Sequence, residues 1–165
     1  MKMLRTICRV LGCVLMAAVI GVYAMLTVPG LAGYESFSIV SGSMEPEIPV
    51  GSLVFAHPED PALLTVGDVV VFTANGSPVT HRICENHRDE RELVTKGDAN
   101  ENEDPGKVPY SAVLGRMKLC IPHMGDVALI MGSRQGKIGA VSALIAAVLL
   151  ILVARDDEEK EGKKR

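Results

Sequence analysis

Tryptophan is absent from this 165-residue chain, and three phenylalanines and three tyrosines bring the aromatic share to only 4%. Basic residues are missing from a long stretch, with no lysine or arginine between Arg9 and Arg82. At a formal net charge of −3 there is neither a basic stripe nor a basic patch interleaved with aromatics, so nucleic acid is not expected as a partner. No internal repeat occurs, nor a glycine pattern of the dinucleotide or P-loop kind that would cradle a phosphate. The four cysteines and four histidines lack the spacing of a zinc site.

What is present is apolar sequence, 48% of the chain, enough for one small domain plus membrane segments but not for two domains. From Val10 to Val28 no residue is charged, and a helix of that length covers roughly the ~30 Å hydrocarbon core of a bilayer. A cleaved signal peptide is the competing assignment, because Lys2, Arg5 and Arg9 make a basic start and Leu31, Ala32 and Gly33 include small residues. The run exceeds the usual apolar core of about 7 to 15 residues, which favours an uncleaved anchor. A second apolar run, Ile138 to Ala154, sits near the lower limit for spanning, with Lys137 and Arg155 able to snorkel to the two interfaces. The three basic residues ahead of the first run place the N-terminus in the cytoplasm. The expected organisation is a cytoplasmic start over 1–9, a transmembrane helix over 10–28, an outer domain and connector over 29–137, a transmembrane helix over 138–154, and a cytoplasmic tail over 155–165. That tail mixes five basic with five acidic residues, a composition expected to be solvated and unstructured.

Residues 30 to 125 read as short strands rather than long helices. Candidate strands are Phe37 to Val40, Ser52 to His57, Asp68 to Thr73, Val79 to Glu85, Arg91 to Lys96 and Ala112 to Ile121, rich in Val, Ile, Phe and Thr. Prolines at 46, 49, 58, 61, 78, 105 and 109 punctuate the gaps, and Asn75-Gly76 predicts a hairpin leading into the strand that carries His81. The expected fold class is a mainly β, antiparallel outer domain with two transmembrane helices.

Within that domain one turn carries chemistry: Ser41-Gly42-Ser43-Met44-Glu45-Pro46. Three later pieces give it meaning, namely Thr80-His81-Arg82-Ile83, then Lys96-Gly97-Asp98-Ala99-Asn100, then Asp104. Together they offer a nucleophile, a base and an orienting carboxylate. Acyl transfer needs such a trio, because a hydroxyl is a weak nucleophile until an imidazole takes its proton and a carboxylate fixes the ring. Ser43 is the candidate nucleophile and His81 the candidate base, an imidazole being mostly neutral near pH 7. His57, His87 and His123 have no comparable surroundings and are read as ordinary polar residues.

With Gly67 to Phe72 added, these motifs in this order resemble the type I signal peptidases, in the branch found in the endoplasmic reticulum, archaea and some spore-forming bacteria. The more familiar bacterial branch carries lysine where this chain has His81. The resemblance covers residues 35 to 120. It implies a membrane-anchored serine endopeptidase that removes signal peptides from exported precursors by cutting after small residues. It also implies that Ser41 lends its hydroxyl to the oxyanion hole, that Asp104 orients His81, and that Asp98 shapes the site or is the alternative triad acid. The partners implied are signal-peptide precursors, the lipid membrane and accessory subunits, with no metal and no cofactor. Fifteen residues separate Val28 from Ser43, at most about 50 Å of extended chain, so the nucleophile can sit near the outer membrane surface where a scissile bond following an apolar span would be presented.

Several alternatives stay open at this level. Lys96 could make a Ser-Lys dyad if its pKa were lowered by burial. The acids and amides from Asp98 to Asp104 echo a calcium loop, although Glu103 stands where that loop needs glycine and Pro109 where it needs glutamate. Cys84 and Cys120, both on the oxidising side, are candidates for a disulfide, while Cys8 and Cys13 read as packing residues. The functional rivals are a non-catalytic membrane assembly or binding protein on the same fold, and a self-cleaving regulatory peptidase.

Overall fold

The computed structural model describes residues 2–162, with side chains from residue 3 to residue 155. Two compact units are present, one of residues 28–129 and one of the two long helical segments on either side of it in the chain.

In the helical unit, α1 runs Lys2–Leu31 and α3 runs Arg134–Gly162. Both extend past the uncharged runs that define them in sequence, because the flanking Lys, Arg and Glu are themselves good helix formers. The tail expected to be irregular is therefore helical as far as Gly162; its side chains beyond Arg155, and the outermost ends of the chain assigned to the cytoplasm, lie outside the described residues. By length and composition the segments Met3–Leu31 and Arg134–Arg155 are each sufficient to cross a membrane. The two helices meet at small residues, where a Cβ on Gly12 would stand 2.8 Å from the Ala147 carbonyl oxygen. The Tyr23 hydroxyl donates to the Met131 carbonyl.

The other unit is built on a seven-stranded, antiparallel sheet. Its strands are β1 (Glu35–Ser38), β2 (Leu53–His57), β3 (Val69–Ala74), β4 (Ser77–His87), β5 (Glu92–Lys96), β6 (Val108–Pro109) and β7 (Val113–Ile121), in the spatial order β1-β2-β7-β3-β4-β5-β6. β3 explains the two-sided core. Its run Val69-Val70-Val71-Phe72 is buried throughout, with Val69 and Val71 joining Ile39, Met44, Ile48 and Val54 on one face. Val70 and Phe72 join Ile83, Leu93, Val108 and Tyr110 on the other. A strand covered on both faces reads as a continuous apolar run instead of an alternating one.

The predicted strands agree with the observed ones to within about two residues at each end, the first lying two residues early, at Glu35–Ser38 where Phe37–Val40 was expected. Ile39 leaves the ladder and bonds its N–H to the Ser52 carbonyl. The hairpin at Asn75-Gly76 is as expected. Both residues have positive φ, 50° and 77°, which an Asn-Gly pair adopts at little steric cost and which matches the twist of the strands it joins. Short β6, in a gap between two predicted strands, and helix α2 (Met124–Gly132), which follows the last of them, were not foreseen. Cys84 and Cys120 are free. They lie on β4 and β7, which have β3 between them. Two inter-strand spacings are about 9.6 Å, more than a disulfide spans. Burial pushes the Cys84 thiol above its ordinary pKa, with nearby Glu103 adding to the effect.

Candidate active site

Each motif from the sequence arrives by a different route. His81 lies on β4 opposite Val70 of β3, and only at the next residue, Arg82, does β4 begin to pair with β5 through Lys96. The imidazole is therefore at the point where β4 has a neighbour on one side only. It is 8% exposed and packs edge-on against the Phe72 ring, with centroids 6.2 Å apart. Ser43 sits in the turn that follows β1, anchored by the fully buried neighbour Met44. The Glu45–Pro46 bond in that turn is cis.

The Ser43 Oγ lies 3.1 Å from His81 Nε2. On the other side of the ring, His81 Nδ1 is 2.6 Å from Asp104 Oδ2. With Nδ1–H donating to the carboxylate, Nε2 is left to accept the Ser43 hydroxyl proton, which is the tautomer a general base requires. Ser41 is exposed, and its Oγ stands 3.5 Å from that of Ser43, beside Ser43 rather than between it and His81.

The loop after β5 carries the remaining parts. Gly97 is buried against the turn that carries Ser43: a Cβ there would come within 2.5 Å of the Ser43 carbonyl oxygen and 3.0 Å of Ser43 Cβ. Only a residue without a side chain permits that approach. The next turn is fixed by the Ala99 N–H, which donates to the Ser43 carbonyl at 2.9 Å. Asp98 points elsewhere. Its carboxylate takes Arg82 in a two-pronged pair, Nε to Oδ1 at 2.8 Å and Nη2 to Oδ2 at 2.6 Å, while Arg82 Nη1 donates to the Gly67 carbonyl. The Asp98 hydrogen bond is the main reason the guanidinium pKa lies above its ordinary value. Asp104 returns to β5, its N–H donating to the Thr95 carbonyl at 2.9 Å.

Of the candidates named from sequence, Ser43, His81 and Asp104 are brought into one hydrogen-bonded line, Ser41 flanks it, and Asp98 pairs instead with Arg82, the residue after His81. Alternation along β5 turns Lys96 to the face opposite Thr95, and the Ser43 hydroxyl has His81 as its partner. Two acids of the calcium-like loop are already engaged, Asp98 by Arg82 and Asp104 by His81 and Thr95. Thr95 went unnoticed in sequence, where a threonine in a strand is unremarkable. It is fully buried and donates its hydroxyl to Asp104 Oδ2 at 2.6 Å. His87, on the same strand as His81, pairs instead with Glu85.

Two cavities border the site. A small one of about 80 Å³ lies between the Phe37-to-Met44 segment and the start of β4, bordered by Ser41, Ser43 and Thr80. A larger cleft of about 520 Å³ has His81 and Asp104 in its wall, and Val79 borders both.

No family model matches the chain. It is 34% identical over 137 residues to the signal peptidase complex catalytic subunit SEC11C of Homo sapiens, a span covering 73% of this chain and 70% of that protein. The SEC11C of Mus musculus matches to the same extent. The SEC11 catalytic subunit of Komagataella phaffii is 30% identical over 130 residues, 68% of this chain and 75% of that protein.

Proposed function

The chain belongs to the SEC11 family of signal peptidase complex catalytic subunits, and we propose from that premise that it is itself a membrane-anchored serine endopeptidase removing signal peptides from exported precursors. The observation that carries the proposal is the unbroken line from Ser43 Oγ through both nitrogens of His81 to Asp104, at 3.1 and 2.6 Å.

Ser43 Oγ attacks the carbonyl that precedes the scissile bond while His81 Nε2 takes its proton. Asp104 stabilises the imidazolium that forms. The negative charge on the carbonyl oxygen is met by the Ser43 backbone N–H and the Ser41 hydroxyl, each such donor contributing roughly 10²–10³ in rate. As the tetrahedral species collapses, the leaving amine takes the proton from Nε2 and a Ser43 ester remains. Water, activated by the same imidazole, releases the signal peptide. The peptide lies extended between the Phe37-to-Ser41 segment and the free edge of β4, and the narrow cavity beside Ser43 restricts it to small residues.

The two long helices span the membrane with both ends cytoplasmic, and the sheet lies on the extracytoplasmic or lumenal face. Its relatives carry "complex catalytic subunit" in their names, which supports accessory subunits as partners here. Acid-quenching the purified protein during turnover of a signal-peptide substrate, followed by peptide mass spectrometry, is expected to find the acyl group on Ser43. Acylation at another residue, or cleavage with no acyl-enzyme under single-turnover conditions, would overturn the serine mechanism.

A further inference from the structure

The larger cleft has no part in the reaction just described, although two members of the reacting line form its wall. The remainder of that wall is chiefly apolar, with Phe72, Val79 and Val108 on the strands and Pro105 on the loop beyond Asp104. What could enter it follows from the strand geometry. β4 pairs with β3 along residues 77–82, but β5 joins its other edge only from Arg82 onward. The lane beside residues 77–81 is thus an unfilled strand position in line with β5. Beyond His81 that lane is already taken by β5 and by Gly97 against Ser43. A peptide whose scissile carbonyl is at Ser43 can therefore run along this edge only in the direction from Thr80 to Ser77, and the small cavity lies on that stretch.

Side chains alternate across a strand, and directly opposed residues share a face. Residues opposite Thr80 and Pro78 turn toward the small cavity. The residue between them, opposite Val79, turns to the face of Val79 and His81, where the large cleft lies.

We propose that this cleft is a second specificity subsite, which takes a large apolar side chain from the middle residue of the small-x-small sequence preceding the cut. The proposal rests on the peptidase reading, and it assigns the middle position a preference instead of indifference. Burying one such side chain against the walls named is expected to favour Leu or Phe over Gly at x by about tenfold in kcat/KM.

Gly106 lies in the rim of the cleft, and a Cβ there meets no atom within 4 Å, so a side chain can be introduced at this position without a clash at its point of attachment. The experiment measures cleavage of Ala-x-Ala precursors, with x as Gly, Ala, Leu or Phe, by full-length wild type and Gly106→Trp in lipid. In parallel, Ser43→Ala is photo-cross-linked to a peptide carrying benzoylphenylalanine at x. The expected result is a wild-type preference for Leu and Phe that Gly106→Trp loses, with Ala-Ala-Ala cleavage retained, and cross-links to residues 72–79 or 104–109. Cross-links to those residues by a protein that cleaves nothing would support the subsite and sink the peptidase reading. Cleavage indifferent to x, with cross-links mapping elsewhere, would overturn the subsite and leave the peptidase reading standing.

Discussion

The hydroxyl of Thr95 and the Nδ1 of His81 converge on one oxygen of Asp104, each at 2.6 Å. Thr95 is fully buried, so Asp104 Oδ2 has a fixed protein donor on its far side and the imidazole on its near side. Thr95→Val keeps the shape and removes that donor. It is expected to lower kcat by about tenfold while leaving KM near wild type, and to cost about 1 kcal/mol of stability. Thr95→Ser should recover most of the rate. Full activity in Thr95→Val would show that Asp104 is held well enough without it.

The two aspartates should separate in kind. Asp104→Asn retains the size of the side chain but loses the charge facing the imidazolium, and in a Ser-His-Asp triad such a change costs about 10⁴ in turnover. Asp98→Asn loosens the pair with Arg82, both partners being part-exposed, and should cost about 1 kcal/mol or less of stability with a smaller effect on rate. Cleavage rates and thermal unfolding in detergent decide the matter. An Asp98→Asn protein that is dead yet as stable as wild type, beside an active Asp104→Asn, would reverse the roles.

Much of this was legible in the chain because the outer domain is heavily punctuated. Prolines and Asn75-Gly76 mark the ends of strands whose interiors are Val, Ile, Phe and Thr, so most strands could be placed to within about two residues. What the residues do not announce is order. That β7 lies between β2 and β3 depends on long-range packing, and with it went the fact that Cys84 and Cys120 stand too far apart to pair. Ser43 and His81 were visible because each belongs to a distinctive motif, whereas Asp104 was set above Asp98 only by the family resemblance. Thr95 was hidden because its role exists only once Asp104 folds back onto β5. The contact of Gly97 with Ser43 was hidden for the same reason, since no local pattern tells which backbone a glycine must let approach.

That contact gives its own prediction. Gly97→Ala would force its Cβ against the Ser43 carbonyl, a backbone atom that cannot turn aside. The Ser43 turn should shift by several tenths of an ångström, and a displacement of that kind at a reacting atom is expected to cost about 10² in kcat. The precursor KM should change much less. Wild-type kcat in this variant would mean that the turn moves freely without harm to the chemistry.

Topology is checked in sealed vesicles. Protease added from outside the cytoplasmic compartment should cut within residues 30–125, while tags at either end of the chain stay protected. A digested C-terminal tag would mean that the segment Arg134–Arg155 does not span.

The most direct test of the account is cleavage itself. Purified protein in lipid, incubated with a precursor bearing an Ala-x-Ala site, should release the signal peptide at that site. The Ser43→Ala protein, which lacks one oxygen of a turn outside the core, should be inserted and folded as wild type yet cleave at no measurable rate. Undiminished cleavage by Ser43→Ala would contradict the assignment of the nucleophile and with it the mechanism.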